Sequence, residues 1–318
     1  MRITRTTAAT AVVALLALAA TGCVALKNAP AGGGAITTSS FTVGPFNLAA
    51  TGQPGWESET TQSNVPRPAG AFGIKSMSFD LVDQNGDPVP RHMVHLHHVL
   101  LMNAAHQDVL CPGREERFAG AGAERTPLNL RDPYAYLVGA NDRWDSLWHL
   151  MNMDTMPQTV YIKYTIGYQK NATAANSRSV TPFFADVTGC GNSVFNVPGN
   201  GGTGSTYTKA RTFTAPWDGV MVYAGGHLHG GGIDLTLKDP ATGSQCVMTA
   251  HYDMPMDEMF ATAADMGMMD PPTMIDPCPA HNLVTAGNTY SLSARYDNSQ
   301  PYTDVMGIAI AYVWRGHQ

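Results

Sequence analysis

Apolar and polar positions alternate along most of this chain in short runs, and turn residues separate the runs. The segments Ile74 to Val82, Val94 to Met102 and Thr159 to Tyr168 in the first half read as strands. Gly219 to Ala224, Ile233 to Leu237, Thr289 to Tyr296 and Val305 to Trp314 read the same way in the second half. Between the first two lies Asp83-Gln84-Asn85-Gly86-Asp87-Pro88, a turn by composition. Arg114 to Ala123 is the one stretch that suggests a short helix. Many short strands punctuated by Gly, Pro, Asn and Asp predict an all-β fold of sandwich or barrel type.

Composition shifts divide the pattern. Pro198-Gly199-Asn200-Gly201-Gly202-Thr203-Gly204-Ser205 has too many glycines to hold a strand. It sets an expected boundary between domains at 41–198 and 206–318. Met254 to Met274 carries seven methionines without a period and reads as a long loop. At the start, Arg2 and Arg5 precede an apolar run from Ala8 to Ala20, shorter than a membrane span. The run ends in Ala20-Thr21-Gly22-Cys23. This is the pattern of a bacterial lipoprotein signal, with residues 1–22 removed and Cys23 lipidated. Residues 23–40, rich in small residues from Ala29 onward, then read as a tether. The expected location is the outer face of a membrane, the alternative being a secreted or periplasmic protein.

Without residues 1–22, which hold Arg2 and Arg5, 17 basic residues face 25 acidic ones, a net charge of −8. No basic run occurs, which argues against nucleic acid as a partner. Four cysteines remain besides Cys23, an even number in a chain read as exported, so two disulfides are expected. Of three pairings, Cys111 with Cys190 and Cys246 with Cys278 give one bridge per half.

The candidate chemistry lies in two histidine clusters and a methionine. Arg91-His92-Met93-Val94-His95-Leu96-His97-His98 puts four histidines in seven residues of an otherwise apolar strand. Burying them without partners would cost roughly 1–3 kcal/mol for each unsatisfied group. A metal that imidazole ligates readily removes that cost. Alternation places His95 and His97 on one face and His98 on the other. In Gly225-Gly226-His227-Leu228-His229-Gly230-Gly231-Gly232, an H-x-H pair at a strand end points two imidazoles the same way, about 6–7 Å apart at Cα.

His97-His98-Val99-Leu100-Leu101, His227-Leu228-His229 and Val305-Met306-Gly307, in this order, resemble the copper type II, ascorbate-dependent monooxygenases such as the peptidylglycine and dopamine hydroxylases. The segment Val82 to Pro90, the turn at His229-Gly230-Gly231 and Tyr302 to Gly307 are similar to the plant stress-up-regulated nodulin-type proteins. The resemblance covers roughly Ile74 to Tyr168 and Gly219 to Val313. It implies two jelly-roll-like antiparallel β-sandwich domains in tandem, each with one copper. The first copper would take His97, His98 and His149, with His95 a further candidate ligand. The second would take His227, His229 and Met306, whose thioether suits Cu(I). The implied reaction is hydroxylation of a C–H bond of a small-molecule or peptidic substrate, with dioxygen and an external reductant such as ascorbate. The alternative is a cell-surface protein that binds copper without turnover.

Overall fold

Period-two burial runs through the strands: in Thr289–Asp297 buried positions alternate with more exposed ones along the whole length. The computed structural model describes residues 34–253, 271–279 and 282–316, and every regular element among them is a strand. Strands β1 (Ile36–Leu48), β9 (Gln158–Lys170), β3 (Phe72–Val82), β7 (Tyr134–Val138), β10 (Arg178–Asp186), β20 (Gly307–Trp314), β13 (Gly219–Leu228) and β17 (Asn282–Val284) lie side by side in that order, and β6 (Leu128–Asn129) also pairs with β3. All pairs are antiparallel except β7 with β10. A second sheet runs β2 (Glu57–Gln62), β8 (Trp144–Asn152), β4 (Val94–Gln107), β5 (Glu115–Gly122). A third runs β12 (Thr206–Thr214), β18 (Thr289–Asp297), β14 (Gly232–Lys238), β15 (Gln245–His251), β16 (Met274–Ile275), and β11 (Phe195–Val197) pairs with β19 (Tyr302–Val305).

Two apolar cores fill the gaps between these layers. One joins Ile74 and Leu81 of β3 and Ile162 and Ile166 of β9 to Val99 and Leu101 of β4 and Trp148 of β8. The other joins Ala309, Ala311 and Val313 of β20 to Leu235 of β14 and Leu292 and Ala294 of β18. The architecture is thus all-β and sandwich-like. The alternate residues of β20 face away from the second core: Tyr312 belongs to the first core, and Ile310 packs against it. The C-terminal strand is therefore packed on both faces.

Several sequence expectations need correction. Arg114 to Ala123 is not helical; Glu115–Gly122 forms β5, paired with β4 from His98 opposite Gly122 to Gln107 opposite Glu115. Gly120 and Gly122 weaken a helix, and the pairing settles the matter. The expected tether ends early, because β1 begins at Ile36 and pairs with β9 from Gln169 onward, helped by a run of β-branched and small residues that suit an edge strand. The last predicted strand is split at Met306, the single residue between β19 and β20. Asp83 does form the expected turn, its Oδ1 accepting from the backbone N–H of Asn85 and Asp87. Cys111 is bonded to Cys190 and Cys246 to Cys278, with Cα–Cα distances of 5.5 and 5.8 Å. The lipoprotein signal with Cys23, and the methionine-rich stretch up to residue 270, lie outside the described residues.

The glycine-rich stretch 198–205 falls in the loop between β11 and β12, and neither disulfide crosses it. Backbone pairing does cross it, since β10 pairs with β20 from Val180 opposite Trp314 to Asp186 opposite Ile308. Limited proteolysis at Gly201 should accordingly give two fragments that co-elute in native gel filtration and separate in denaturant. Separation under native conditions would contradict this pairing.

Candidate metal centre

In a regular strand, His97 and His98 would point to opposite faces. The pairing of β4 with β8 shows how they avoid this. Leu96 lies opposite Leu150 and His98 opposite His149, so His97 is an extra residue in β4 with no separate partner in β8. Such a bulge rotates the side chains that follow. It brings His97, His98 and His149 together, with one ring nitrogen of each within 4.8 Å of the others. The two Nδ1 atoms of His97 and His98 are 3.2 Å apart. Two nitrogens bound to one ion at metal–nitrogen distances of about 2.0–2.1 Å are separated by about 3 Å, so this spacing fits. The His149 Nε2 lies 3.1 Å from Glu57 Oε2, and Glu59 Oε1 stands 3.7 Å from His98 Nε2. Both carboxylates come from β2, whose register places Glu59 opposite His149.

The second set forms at the end of β13. His227 lies opposite Ile308 of β20, and Leu228, 1 % exposed, turns into the second core. His229 follows directly, and its backbone N–H donates to the Tyr296 hydroxyl at 2.9 Å. That hydroxyl in turn donates to the carbonyl of Met306. One fully buried tyrosine therefore ties the histidine end of β13 to the methionine between β19 and β20. Glu124 is also buried, at 4 % exposure. Its Oε1 accepts from the Gly122 N–H at 2.7 Å, and its Oε2 lies 3.1 Å from His227 Nδ1. A carboxylate on one ring nitrogen fixes the tautomer and leaves the other nitrogen free to ligate. The Nε2 atoms of His227 and His229 are indeed buried with no hydrogen-bond partner. Gly122 is required here, because a Cβ at that position would stand 2.4 Å from His227 Cε1.

The two sets, expected as separate centres, lie against one another. The ring centroids of His97 and His229 are 4.3 Å apart, closer than those of His227 and His229 at 5.1 Å. His149 is 4.5 Å from His97 by the same measure, and His95 is 5.5 Å from it. All six histidines and Met306 line one cavity of about 740 Å³. Burial, and then the neighbouring histidines and Arg125, lower the pKa of His95 to about 3; burial and neighbouring histidines lower that of His98 to about 3. Burial foremost also holds His97 and His229 well below the ordinary value, the latter opposed by a hydrogen bond to the Asp304 backbone. At neutral pH these rings are uncharged and their lone pairs are available, the form that binds metal. A nitrogen-rich donor set beside a thioether suits copper.

Sequence reading did not find Glu57, Glu59, Gly122, Glu124 or Tyr296. Glu124 meets His227 across 103 residues of chain, and only the shared cavity wall reveals the pair.

Residues 35–117 match the family model described as stress up-regulated Nod 19. The chain is 28% identical over 253 residues to "Probable copper-dependent oxygenase clz3" of Cochliobolus lunatus, covering 70% of this chain and 72% of that protein. It is 27% identical over 264 residues to "Probable copper-dependent oxygenase M1" of Phoma sp., covering 76% of this chain and 64% of the relative, slightly under two thirds of its length. Among solved structures, PNGase F from Flavobacterium meningosepticum aligns over 86% of this chain and 96% of its own, with 11% identity and a TM-score of 0.39. The major capsid protein P2 of bacteriophage PM2 aligns over 89% and 99%, with 10% identity and a TM-score of 0.34.

The depressed histidine pKa values have a consequence for stability. Between about pH 3 and 6.5 the unfolded chain binds protons at His95 and His98 that the folded chain does not. Stability is therefore complete above pH 6.5 and falls as pH falls. The slope is on the order of 1.4 kcal/mol per pH unit for each histidine kept neutral. Urea denaturation of metal-free protein should show the loss already between pH 6.5 and 5, where carboxylates are still ionised. A flat profile across that window would contradict the burial of these rings as neutral groups.

Proposed function

We propose that this chain, which carries a stress up-regulated Nod 19 match over residues 35–117 and resembles two proteins named "Probable copper-dependent oxygenase", is itself a copper-dependent monooxygenase. The observation that carries the reading is the pair of buried, unpartnered Nε2 atoms of His227 and His229, on a cavity they share with His97, His98, His149 and Met306. One ion would be held chiefly by His97, His98 and His149, and a second by His227, His229 and Met306. Copper, when bound, supplies one-electron transfer and the activation of dioxygen. The reaction balances as R–H + O2 + 2 e⁻ + 2 H⁺ → R–OH + H2O, the electrons coming from a dissolved reductant such as ascorbate.

The chain's own groups prepare this chemistry. Glu124 holds the proton of His227 on Nδ1 and aims Nε2 at the cavity. Glu57 does the corresponding work at Nε2 of His149, leaving its Nδ1 for the centre. Tyr296 fixes the spacing between His229 and Met306. The Met306 thioether, a soft donor, favours the reduced metal. Export to an oxidising compartment, with an anchor at Cys23, is part of the same proposal, and the two disulfides support it.

Substitutions separate the roles. Met306→Ala should weaken Cu(I) retention in a competition with a chelator, affect Cu(II) less, and abolish reductant-dependent oxygen consumption. His227→Ala should remove the second site for both oxidation states. Glu124→Gln, which leaves the fold's volume unchanged, should weaken copper at that site about 10–100-fold. Equal Cu(I) retention by Met306→Ala and the parent would make the methionine a wall residue only. Copper bound without any oxygen consumption across a panel of reductants and substrates would favour a binding protein over an enzyme.

A further inference from the structure

A second cavity, of about 200 Å³, opens beside the histidines and reaches Met306 and His227 at one end. Its two walls come from the two halves of the chain. On one wall, β13 and β20 present directly opposed pairs: Tyr223 with Tyr312, Gly225 with Ile310, and His227 with Ile308. On the other, His98, Leu100 and Met102 share one face of β4, and Gly120 sits opposite Leu100 on β5. Met102 lies four residue steps along the strand from His98, so the cavity extends about 13 Å away from the metal ligands at roughly 3.3 Å per residue.

Most of the polar groups along these walls already have partners, while Arg117 Nη2 and His227 Nε2 are buried without one. The Tyr223 hydroxyl donates to the Pro127 carbonyl and that of Tyr312 to the Phe118 carbonyl, both at 2.7 Å. The two rings therefore face the cavity as hydrocarbon. Arg117 at the far end is ion-paired to Asp108 at 2.8 Å and lies 3.7 Å over the Phe184 ring. Glu124 is occupied by His227 and the Gly122 N–H. Glycine creates the room: a Cβ at Gly225 would meet nothing nearer than Tyr223 Cε1 at 3.5 Å. A cavity of about 150 Å³ with apolar walls holds benzene, so this one accepts a somewhat larger group.

We propose that this cavity binds an apolar, uncharged group of a small organic molecule, an aryl ring or branched alkyl segment, with one end against His227 and Met306. That the bound group is the one oxygenated rests on the copper reading above; that it binds does not.

Toluene is a suitable probe, followed by saturation-transfer NMR on metal-free and Cu(II)-loaded protein. Gly225→Val should fill the gap without displacing backbone, and Leu147→Phe, opposite Leu100 on β8, narrows the cavity from the other wall. Each should weaken toluene binding at least tenfold, and Cu(II) should broaden the signals of bound toluene in the parent. Either variant alone suffices if the other fails to fold. No binding to the parent, or equal binding to parent and variants, overturns the proposal. Binding that the variants block, in a protein that takes up no copper, keeps the cavity assignment and sinks the monooxygenase reading.

Discussion

The packing of β20 on both of its faces is the constraint from which the rest of the arrangement follows. This strand pairs with β10 on one side and β13 on the other, and its residues sort by size between its two faces. Ala309 and Ala311 turn into the second core, where neighbouring strands approach closely, while Ile308, Ile310 and Tyr312 turn toward the first half. A strand packed on both faces cannot slip by one residue without exchanging alanines for isoleucines in two places at once. Its register is thereby fixed, and with it the position of His227 opposite Ile308 and of Met306 at its N-terminal edge.

The first histidine set depends on a different device. Without the bulge at His97, β4 would direct that ring and the next to opposite faces, and no three-histidine arrangement with His149 could form. The bulge serves the apolar pattern as well: Leu96 and Val99 both reach the first core, although they are separated by an odd number of positions. One irregularity thus reconciles core packing with convergent imidazoles. Burial foremost, and the neighbouring rings after it, keep His95, His97 and His98 neutral, the form that ligates a metal.

Much of this was legible in the sequence. Alternation located the main strands, H-x-H at a strand end identified a same-face pair, and the cysteine count led to the observed bridges. What escaped was non-local. A glycine-containing segment, Glu115–Gly122, became a strand only because β4 offered it a partner. Ile36 to Ser40 looked like a linker because the β9 edge it pairs with lies far along the chain. Glu124 and Tyr296 carry no local signature, as each acts on residues brought near by folding. The closeness of the two histidine sets could not be read from either motif, because it is set by how β20 docks the halves.

That closeness is tested most directly by electron paramagnetic resonance of protein titrated with two equivalents of Cu(II). If each set holds one ion as proposed, rings only 4.3 Å apart would place the two ions near enough to couple. Dipolar broadening and a half-field transition are expected, both lost in the His229→Ala variant. Two unbroadened mononuclear signals integrating to two independent spins would contradict it.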